Sequence, residues 1–382
     1  MRLRAGRLYA LALPFKSAVG HSAAVRSCSD SVVVRLESES GAVGFGEAVA
    51  RPYVTGETVP ACMDYIAHVL WPAIRGRAHA AAGFPEPPAA IGAGIAGRPR
   101  DAVIAWNAAW SAVEVALIDV ALREAGRALG DLLPPMRSEV RYGGVIPAVP
   151  VAAAERLAAR YREAGITDIK IKVGDVAGRD RVAAVRAAVG EAVCLRVDAN
   201  GAWDTAQAIR ELRALEPYSL AVVEQPVPRG DPRELARLRH AAGVPVMADE
   251  SLVTVEDARD LIAAAACDFF NLRIAKCGGI ARVLAIAGMA REAGIRLQLG
   301  CQVGETAILS AVGRHVAAHL PGLEHVEGSF GTRLLAEDVA QEDVGFGAGG
   351  RAALLRGPGL GIAVCEDVLA RHAVRTVQLG AS

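Results

Sequence analysis

From about residue 140 onward, short β-rich runs alternate with helical segments rich in Ala, Arg and Glu. The predicted strands end roughly every 25 residues, as expected of repeated β/α units. Their ends lie near Gly144, Lys170 to Lys172, Asp198, Glu224, Asp249, Arg273, Gly300 and Glu327. Eight evenly spaced ends favour a closed (β/α)8 barrel over an open doubly wound sheet.

The segment before the barrel has a different pattern. Val32 to Leu36 is rich in β-branched residues, and Ser40-Gly41 reads as a turn before Val43 to Glu47, which predicts a small antiparallel sheet. Residues 101–127 keep apolar side chains at helical spacing, with Asp101 as the expected N-cap. The stretch from Ala80 to Arg100, rich in Ala, Gly and Pro, is expected to be a mobile connection.

The predicted fold class is therefore α/β, with a (β/α)8-type barrel and an α+β capping domain. Residues 1–135 are assigned to the capping domain, 136–350 to the barrel and 351–382 to a C-terminal segment that returns to the capping domain. Apolar residues make up 52% of the chain and aromatic residues only 4%, so the core is expected to consist mainly of Ala, Val, Leu and Ile.

Three acidic residues follow apolar runs where a buried strand should end: Asp198, Glu224 and Asp249. The carboxyl ends of barrel strands share one face, so these acids are expected to converge there. Clustered buried carboxylates repel one another unless they bind a cation, and all-oxygen ligands suit Mg²⁺, with Mn²⁺ as a substitute. The alternative is that each acid caps a helix or pairs with an arginine.

Lys170 and Lys172 flank Ile171, so on a strand both side chains point to the same side. Two neighbouring ammonium groups disfavour each other's charge, which is expected to lower a lysine pKa towards values useful for a general base. The alternative is a solvated strand end. With a divalent metal, such a base suits removal of the proton next to a carboxylate.

The motifs IKIKVG, RVDANGAWD, VVEQPVP, MADES, IAKCGGI and GPGLGI, in this order, resemble those of the enolase superfamily. The resemblance is to the mandelate racemase/muconate lactonizing enzyme family, in particular its muconate lactonizing enzyme subgroup. It implies that Asp198, Glu224 and Asp249 bind Mg²⁺ and that Lys172 is the acid/base on one face of the substrate.

The resemblance also implies supporting roles for four further residues. Lys170 would contact the substrate carboxylate or tune Lys172, and Asn200 and Glu250 would act from just outside the metal ligands. Glu327, at the eighth strand end, matches a position near the substrate carboxylate, although a pair with a neighbouring Arg is an equal alternative.

The chain departs from this pattern at the sixth and seventh strand ends. Members with two catalytic lysines carry the second just before a turn like IAKCGG, where this chain has Arg273, and Lys276 belongs to the turn itself. Arginine is a poor proton shuttle but binds carboxylates well, so Arg273 favours chemistry on one face. Gln302 stands where the mandelate racemase subgroup has a catalytic His.

The expected function is accordingly that of a lyase (a dehydratase) or a cycloisomerase acting on a small carboxylic acid. The first alternative is an amino-acid or dipeptide racemase or epimerase, and the second is a catalytically inactive metal-binding barrel. Substrate contacts are expected from the capping loops, with Tyr53 and Thr55 as candidates, and from Gln302. The match of residues 345–350 to GxGxxG lacks the strand and helix of a dinucleotide site and is interpreted as a loop.

Charge and cysteine usage limit the partners. Basic and acidic residues both number 42, which does not favour nucleic acid or an anionic membrane, and the N-terminus is interpreted as a strand. The seven cysteines form no CxxC pair, which indicates reduced thiols and a cytoplasmic location. The family resemblance implies a homo-oligomer, either a dimer or an octamer.

Overall fold

The computed structural model describes residues 1–21, 24–79, 83–86 and 103–380. The first part of the chain contains five strands: β1 (Leu3–Leu11), β2 (Pro14–His21), β3 (Ala24–Cys28), β4 (Val32–Ser38) and β5 (Val43–Ala48). Strands β2 and β3 form an antiparallel hairpin, whereas β1, β4 and β5 are neighbours in an antiparallel sheet. The predicted small antiparallel sheet is confirmed.

Four α-helices follow this sheet in the described residues. They are α1 (Val59–Tyr65), which continues through a π-helical turn (Ile66–Leu70) into α2 (Trp71–Arg75), then α3 (Asn107–Glu124) and α4 (Leu129–Leu132). Helix α3 is the predicted long helix, but it begins at Asn107. Asp101, its expected N-cap, and most of the expected connection from Ala80 to Arg100 lie outside the described residues.

Helix α3 packs directly on strand β5, and the glycines of the VGFGE run make this contact possible. A Cβ atom added to Gly44 would lie 2.2 Å from the backbone N of Val120, and one added to Gly46 would lie 1.9 Å from the carbonyl O of Ala112. Any side chain at either position would therefore push the helix away from the sheet.

Strand β6 (Glu139–Arg141) leads into the barrel. Its strands are β7 (Gly144–Ile146), β8 (Asp168–Lys172), β9 (Cys194–Asp198), β10 (Val222–Glu224), β11 (Val246–Ala248), β12 (Phe269–Leu272), β13 (Arg296–Leu299) and β14 (Leu323–Val326). Its helices are α5 (Val151–Glu163), α6 (Gly178–Val189), α7 (Thr205–Leu215), α8 (Pro232–Ala241), α9 (Val255–Ala263), α10 (Ile274–Cys277), α11 (Ile280–Glu292) and α12 (Ala307–His319).

The eight barrel strands form one parallel sheet in chain order from β7 to β14. The edge strands β7 and β14 do not pair as a ladder, but the N–H of Gly143 donates to the carbonyl of Val326 at 2.8 Å, which holds the two edges together. Closure therefore rests on a hydrogen bond just before β7 rather than on a β7–β14 ladder. The predicted α/β class and eight-strand barrel are confirmed.

The predicted strand ends agree closely with the observed ones. Strands β8, β9 and β10 end at Lys172, Asp198 and Glu224, as predicted. Asp249 and Arg273 each come one residue after their strand. The exception is the first strand, which begins rather than ends at Gly144, because the apolar run continues to Ile146.

The last part of the chain contains β15 (Arg351–Ala353), α13 (Glu366–His372) and β16 (Ala373–Leu379). Strand β15 pairs with β6, and β16 pairs with β1 to complete the sheet β16-β1-β4-β5. These pairings bring the C-terminus back to the N-terminal sheet, and the exact domain boundaries remain a prediction. Residues 345–350 form a loop with a short 3₁₀ turn (Ala348–Gly350). Among the described helices, none is long and apolar enough to span a bilayer.

Candidate active site at the barrel mouth

Three acids lie side by side at the carboxyl ends of neighbouring strands. Glu224 is paired in register with Asp198 on the adjacent strand, and Asp249 follows β11 directly. All three are almost completely buried, with at most 1% of each residue exposed. The placement results from strand geometry, because parallel strands in register end on the same face.

Side-chain cations lie among these carboxylates. Lys172 Nζ donates to Asp198 Oδ2 at 2.5 Å, and Lys170 Nζ lies 3.0 Å from Glu224 Oε2 and 3.5 Å from Asp198 Oδ2. Arg273 reaches from the next strand end to Asp249 and to Glu224 Oε1, the latter at 3.3 Å. Lys170 and Lys172 therefore point to the same side of β8, as expected.

The pKa values of this cluster reflect burial and mutual charge. Burial and the charge of Glu224 raise the pKa of Asp198 above its usual value. Burial alone would lower the pKa of Lys170, but the carboxylates of Glu224, Glu327 and Asp198 outweigh it and raise that pKa. The expectation that neighbouring ammonium groups lower each other's pKa is therefore wrong for Lys170, because three acids lie within its reach.

Asn200 connects Lys172 to Glu250. Its Oδ1 accepts from Lys172 Nζ at 2.8 Å, and its Nδ2 donates to Glu250 Oε1 at 3.0 Å. The backbone of Asn200 is left-handed, with φ 47°, and its N–H donates to Asp198 Oδ1. Burial, followed by the charges of Asp249 and Asp198, raises the pKa of Glu250 to about 8.

Lys276 is fully occupied in positioning a neighbouring acid. Its Nζ donates to the backbone carbonyl of Asp249 at 2.7 Å, to Asp249 Oδ1 at 2.9 Å and to the carbonyl of Asn271 at 2.8 Å. All three protons of the ammonium group are engaged, and the residue is completely buried. This geometry agrees with leaving Lys276 out of the acid/base assignment.

Glu327 is buried and comes one residue after strand β14. It accepts from Arg196 Nη1 at 2.9 Å and lies 2.6 Å from Lys170 Nζ. The pair with an arginine, one of the two alternatives, is thus present, and the same carboxylate also lines the cavity described below.

The sequence analysis did not identify three polar residues that contact these acids: Arg196, Asn271 and Gln298. Asn271 Nδ2 donates to Glu224 Oε1 at 2.8 Å, and Gln298 Nε2 donates to Glu224 Oε2 at 3.2 Å. A signal was available, because Arg196 and Asn271 lie two positions before Asp198 and Arg273, and residues two apart on a strand face the same side. The chain has only four lysines, and three of them, Lys170, Lys172 and Lys276, lie at this site.

A cavity opens above the cluster, and its wall includes Tyr53 and Gln302 together with Lys172, Arg273 and Glu250. Thr55 is not among its lining residues. Thr55 is buried, and its carbonyl accepts from the N–H of Ile104 in front of helix α3, so a substrate contact by this residue stays a prediction. A larger cavity beside α3 contains none of the acids or lysines of the mouth.

The donors at the mouth suit a divalent cation. Asp198, Glu224 and Asp249 offer only oxygen atoms, as Mg²⁺ prefers, and their charges are balanced by ammonium and guanidinium groups on flexible stems. In the described residues, the one group of three possible ligand atoms within 4.8 Å of one another is instead Asp168, Cys194 and His325. There Asp168 already pairs with Arg196 and His325, whereas at the mouth the lysines and Arg273 stand between the acids.

Comparisons with known proteins agree with this geometry. A family model described as "Enolase C-terminal domain-like" matches residues 152–368. The chain is 30% identical to the N-succinyl-L-Arg/Lys racemase of Bacillus cereus over 97% of both chains. It is 31% identical to the L-Ala-D/L-Glu epimerase of Bacillus subtilis over 92% of this chain and 93% of that one.

A similar solved structure is that of 2-chloromuconate cycloisomerase from Rhodococcus opacus 1CP, with a TM-score of 0.87, 28% identity and coverage of 98% of this chain and 100% of that chain. The fold and the matched region thus define an enolase-type enzyme. The chain belongs to the mandelate racemase/muconate lactonizing enzyme family of the enolase superfamily. The relatives include racemases, epimerases and cycloisomerases, so the resemblance noted in the sequence is confirmed.

Proposed function

We propose that this protein is a Mg²⁺-dependent enzyme in which Lys172 removes the proton next to the carboxylate of a small acid. The single observation that carries the proposal is the position of Lys172. Its amine lies at a barrel strand end, lines the cavity and touches both Asp198 and Asn200. A base must stand within hydrogen-bonding reach of its substrate, and the cavity wall is where such reach exists.

The residues that would hold Mg²⁺ are Asp198, Glu224 and Asp249. When bound, Mg²⁺ supplies positive charge that stabilises the enediolate oxygens. Lys170 then orients the substrate carboxylate, Glu327 holds Lys170, and Asn200 holds Lys172 in place. Mn²⁺ as a substitute ion, the cytoplasmic location and a dimer or octamer remain predictions.

The overall reaction that we favour is racemisation or epimerisation. Two relatives that match more than nine-tenths of this chain are named as a racemase and an epimerase, and both reactions move the proton on one carbon. We therefore prefer the racemase or epimerase function, the first alternative of the sequence analysis, over the lyase or cycloisomerase function that was expected there.

Arg273 is the observation that favours elimination or cycloisomerisation as the second candidate. Its guanidinium stands among the acids at the sixth strand end, where a second acid/base would be needed for proton return to the opposite face. Guanidinium groups remain protonated in proteins and therefore exchange protons poorly. In this second candidate, Lys172 removes the proton and a leaving group departs from the neighbouring carbon.

Incubation with candidate acids and Mg²⁺ in deuterated water tests both candidates. Racemisation predicts deuterium on the α-carbon with inverted configuration. Elimination predicts release of a leaving group, and cycloisomerisation predicts closure of a ring. If Arg273 confines proton transfer to one face, Arg273→Lys should gain inversion, and the exposed Arg233→Lys should not. Absence of exchange with every acid would contradict the proposal and favour the catalytically inactive metal-binding barrel.

A further inference from the structure

A second group of possible metal ligands lies at the end of the barrel opposite the mouth. Asp168 and Cys194 are the first residues of β8 and β9, and His325 lies in β14. One donor atom from each residue, a carboxylate oxygen, a thiol sulfur and a ring nitrogen, lies within 4.8 Å of the other two. Residues an even number of positions apart on a strand face the same side, so Asp168 and Cys194 face the same side as Lys170 and Asp198.

The carboxylate of Asp168 can bind a metal ion and keep its arginine. Its Oδ1 accepts from Arg196 Nε at 2.8 Å, whereas its Oδ2 lies 2.8 Å from His325 Nδ1. A metal ion between Oδ2 and Nδ1 would replace only the hydrogen bond between these two atoms. The charge of Arg196 is also balanced by Glu327, at 2.9 Å. Gly143 lies beside this contact, because a Cβ atom there would be 3.0 Å from the carbonyl O of Asp168 and 3.4 Å from its Cγ.

The donor atoms of this group differ from those of the mouth. A thiolate sulfur, an imidazole nitrogen and a carboxylate oxygen together suit Zn²⁺, whereas Mg²⁺ prefers oxygen ligands alone. Burial and the charge of Asp168 raise the pKa of the Cys194 thiol, so this thiol is protonated at neutral pH until a metal ion displaces the proton. Asp168 and Cys194 are only partly buried, which gives an ion access from solvent and leaves a fourth position for water.

The three side chains lie on both sides of the place where the barrel closes. Strands β7 and β14 are the two edges of the sheet and do not pair as a ladder. The hydrogen bond from Gly143 to Val326 holds these edges together. An ion bound by His325 of β14, Asp168 of β8 and Cys194 of β9 would cross the same gap and add three bonds to it.

We propose that Asp168, Cys194 and His325 form a Zn²⁺ site that fastens the closure of the barrel at the end opposite the mouth. The role of the ion is structural, because the site lies away from the cavity lined by Lys172. The inference is independent of the proposed function, since it involves none of the acids assigned to Mg²⁺.

The test measures Zn²⁺ binding by the intact protein with its thiols reduced and with saturating Mg²⁺ present. Calorimetry is expected to show one equivalent of Zn²⁺, and Co²⁺ as a spectroscopic probe should give a thiolate-to-cobalt charge-transfer band. Cys194→Ser and His325→Gln should each weaken Zn²⁺ binding by at least about 10-fold, and Cys194→Ser should abolish the band. Cys365→Ser, at another partly buried cysteine, is the matched control and should keep both.

Two further measurements separate this site from the mouth and from a merely adventitious ion. Zn²⁺ should raise the melting temperature of the parent but not of Cys194→Ser, because an ion that binds only the folded chain stabilises it. Asp249→Asn should leave Zn²⁺ affinity unchanged.

Absence of stoichiometric Zn²⁺ binding or of the Co²⁺ band in the parent protein would overturn the inference, whether or not the variants fold. Zn²⁺ binding that is lowered in Asp249→Asn and kept in Cys194→Ser would place the ion at the mouth and would overturn it as well. An unchanged melting temperature of the parent with bound Zn²⁺ would rule out the structural role.

Discussion

Two sets of buried acids differ in what holds them. At the barrel mouth, Asp198, Glu224 and Asp249 contact lysine and arginine side chains. Further buried acids, Glu47 and Glu114 among them, instead contact backbone N–H groups where helices begin. Glu47 accepts from the N–H groups of Thr306 and Leu309 at the start of α12.

Glu114 extends the same arrangement to a second barrel helix. It lies on α3 and accepts from the N–H groups of Ile280 and Ala281 at the start of α11. Glu57, in the same way, accepts from Ala108 and Ala109 at the start of α3. The first turn of a helix has unpaired N–H groups and a positive dipole end, so a carboxylate there is fixed in place.

The comparison teaches that burial of an acid is not itself a sign of catalysis. Backbone N–H groups cannot leave their acid without unwinding a helix, whereas a lysine or arginine side chain can swing away when a metal ion or substrate binds. Glu47 and Glu114 of the second set join the capping domain to the barrel. We expect the acids of the first set to be the ones available for chemistry.

The largest expected effect concerns Lys172. Lys172→Ala should reduce α-proton exchange by at least about 10³-fold, because the general base is removed. Mg²⁺ affinity should be nearly unchanged, since the three acids remain. Isothermal titration calorimetry and exchange in deuterated water measure the two quantities, with the exposed Lys16→Ala as control. Retained exchange in Lys172→Ala would disprove the assignment of the base.

Replacement of one acid from each set by its amide tests the comparison directly. Asp249→Asn should weaken Mg²⁺ binding by at least about 10-fold, because one anionic ligand becomes neutral. Glu114→Gln, which replaces an equally buried acid at the domain interface, should leave Mg²⁺ affinity unchanged. Equal loss of Mg²⁺ affinity in both variants, measured by calorimetry, would contradict the distinction between the two sets.

The smallest effect is a change in how stability depends on pH. Burial raises the pKa of Glu47 from 4.5 to about 7. Between these values the folded protein holds a proton that the unfolded chain has lost, so stability falls as pH rises from about 5 to about 7.

Glu47→Gln cannot ionise and should therefore show a flatter profile of unfolding free energy. Urea unfolding at pH 5 and pH 8 measures the difference, with the exposed Glu39→Gln as the matched control. Profiles of the parent and of Glu47→Gln that remain parallel over this range would show that Glu47 does not titrate as described.

The residues of the barrel mouth were largely predictable from sequence, because the end of each buried strand is marked by a charged residue after an apolar run. Asp198, Glu224 and Lys172 interrupt apolar runs, and the even spacing of these runs implies a shared face. The deeper layer of Arg196, Asn271 and Gln298 was missed, although the two-residue period of a strand marks it. The candidate contact of Thr55 stays a prediction, because loop position alone does not say which side chains face a cavity.

The amino-acid sequence by itself determined the eight-strand barrel, the acids and lysines of its mouth and the family. These follow from local periodicity and from where charge interrupts an apolar run, and both can be read along the chain. Only the tertiary structure decided the partners: which cation meets which acid, that Glu47 and Glu114 cap helices distant in sequence, and that Gln302 is buried without a partner. Such contacts join residues from 24 to 259 positions apart, and no local pattern encodes them.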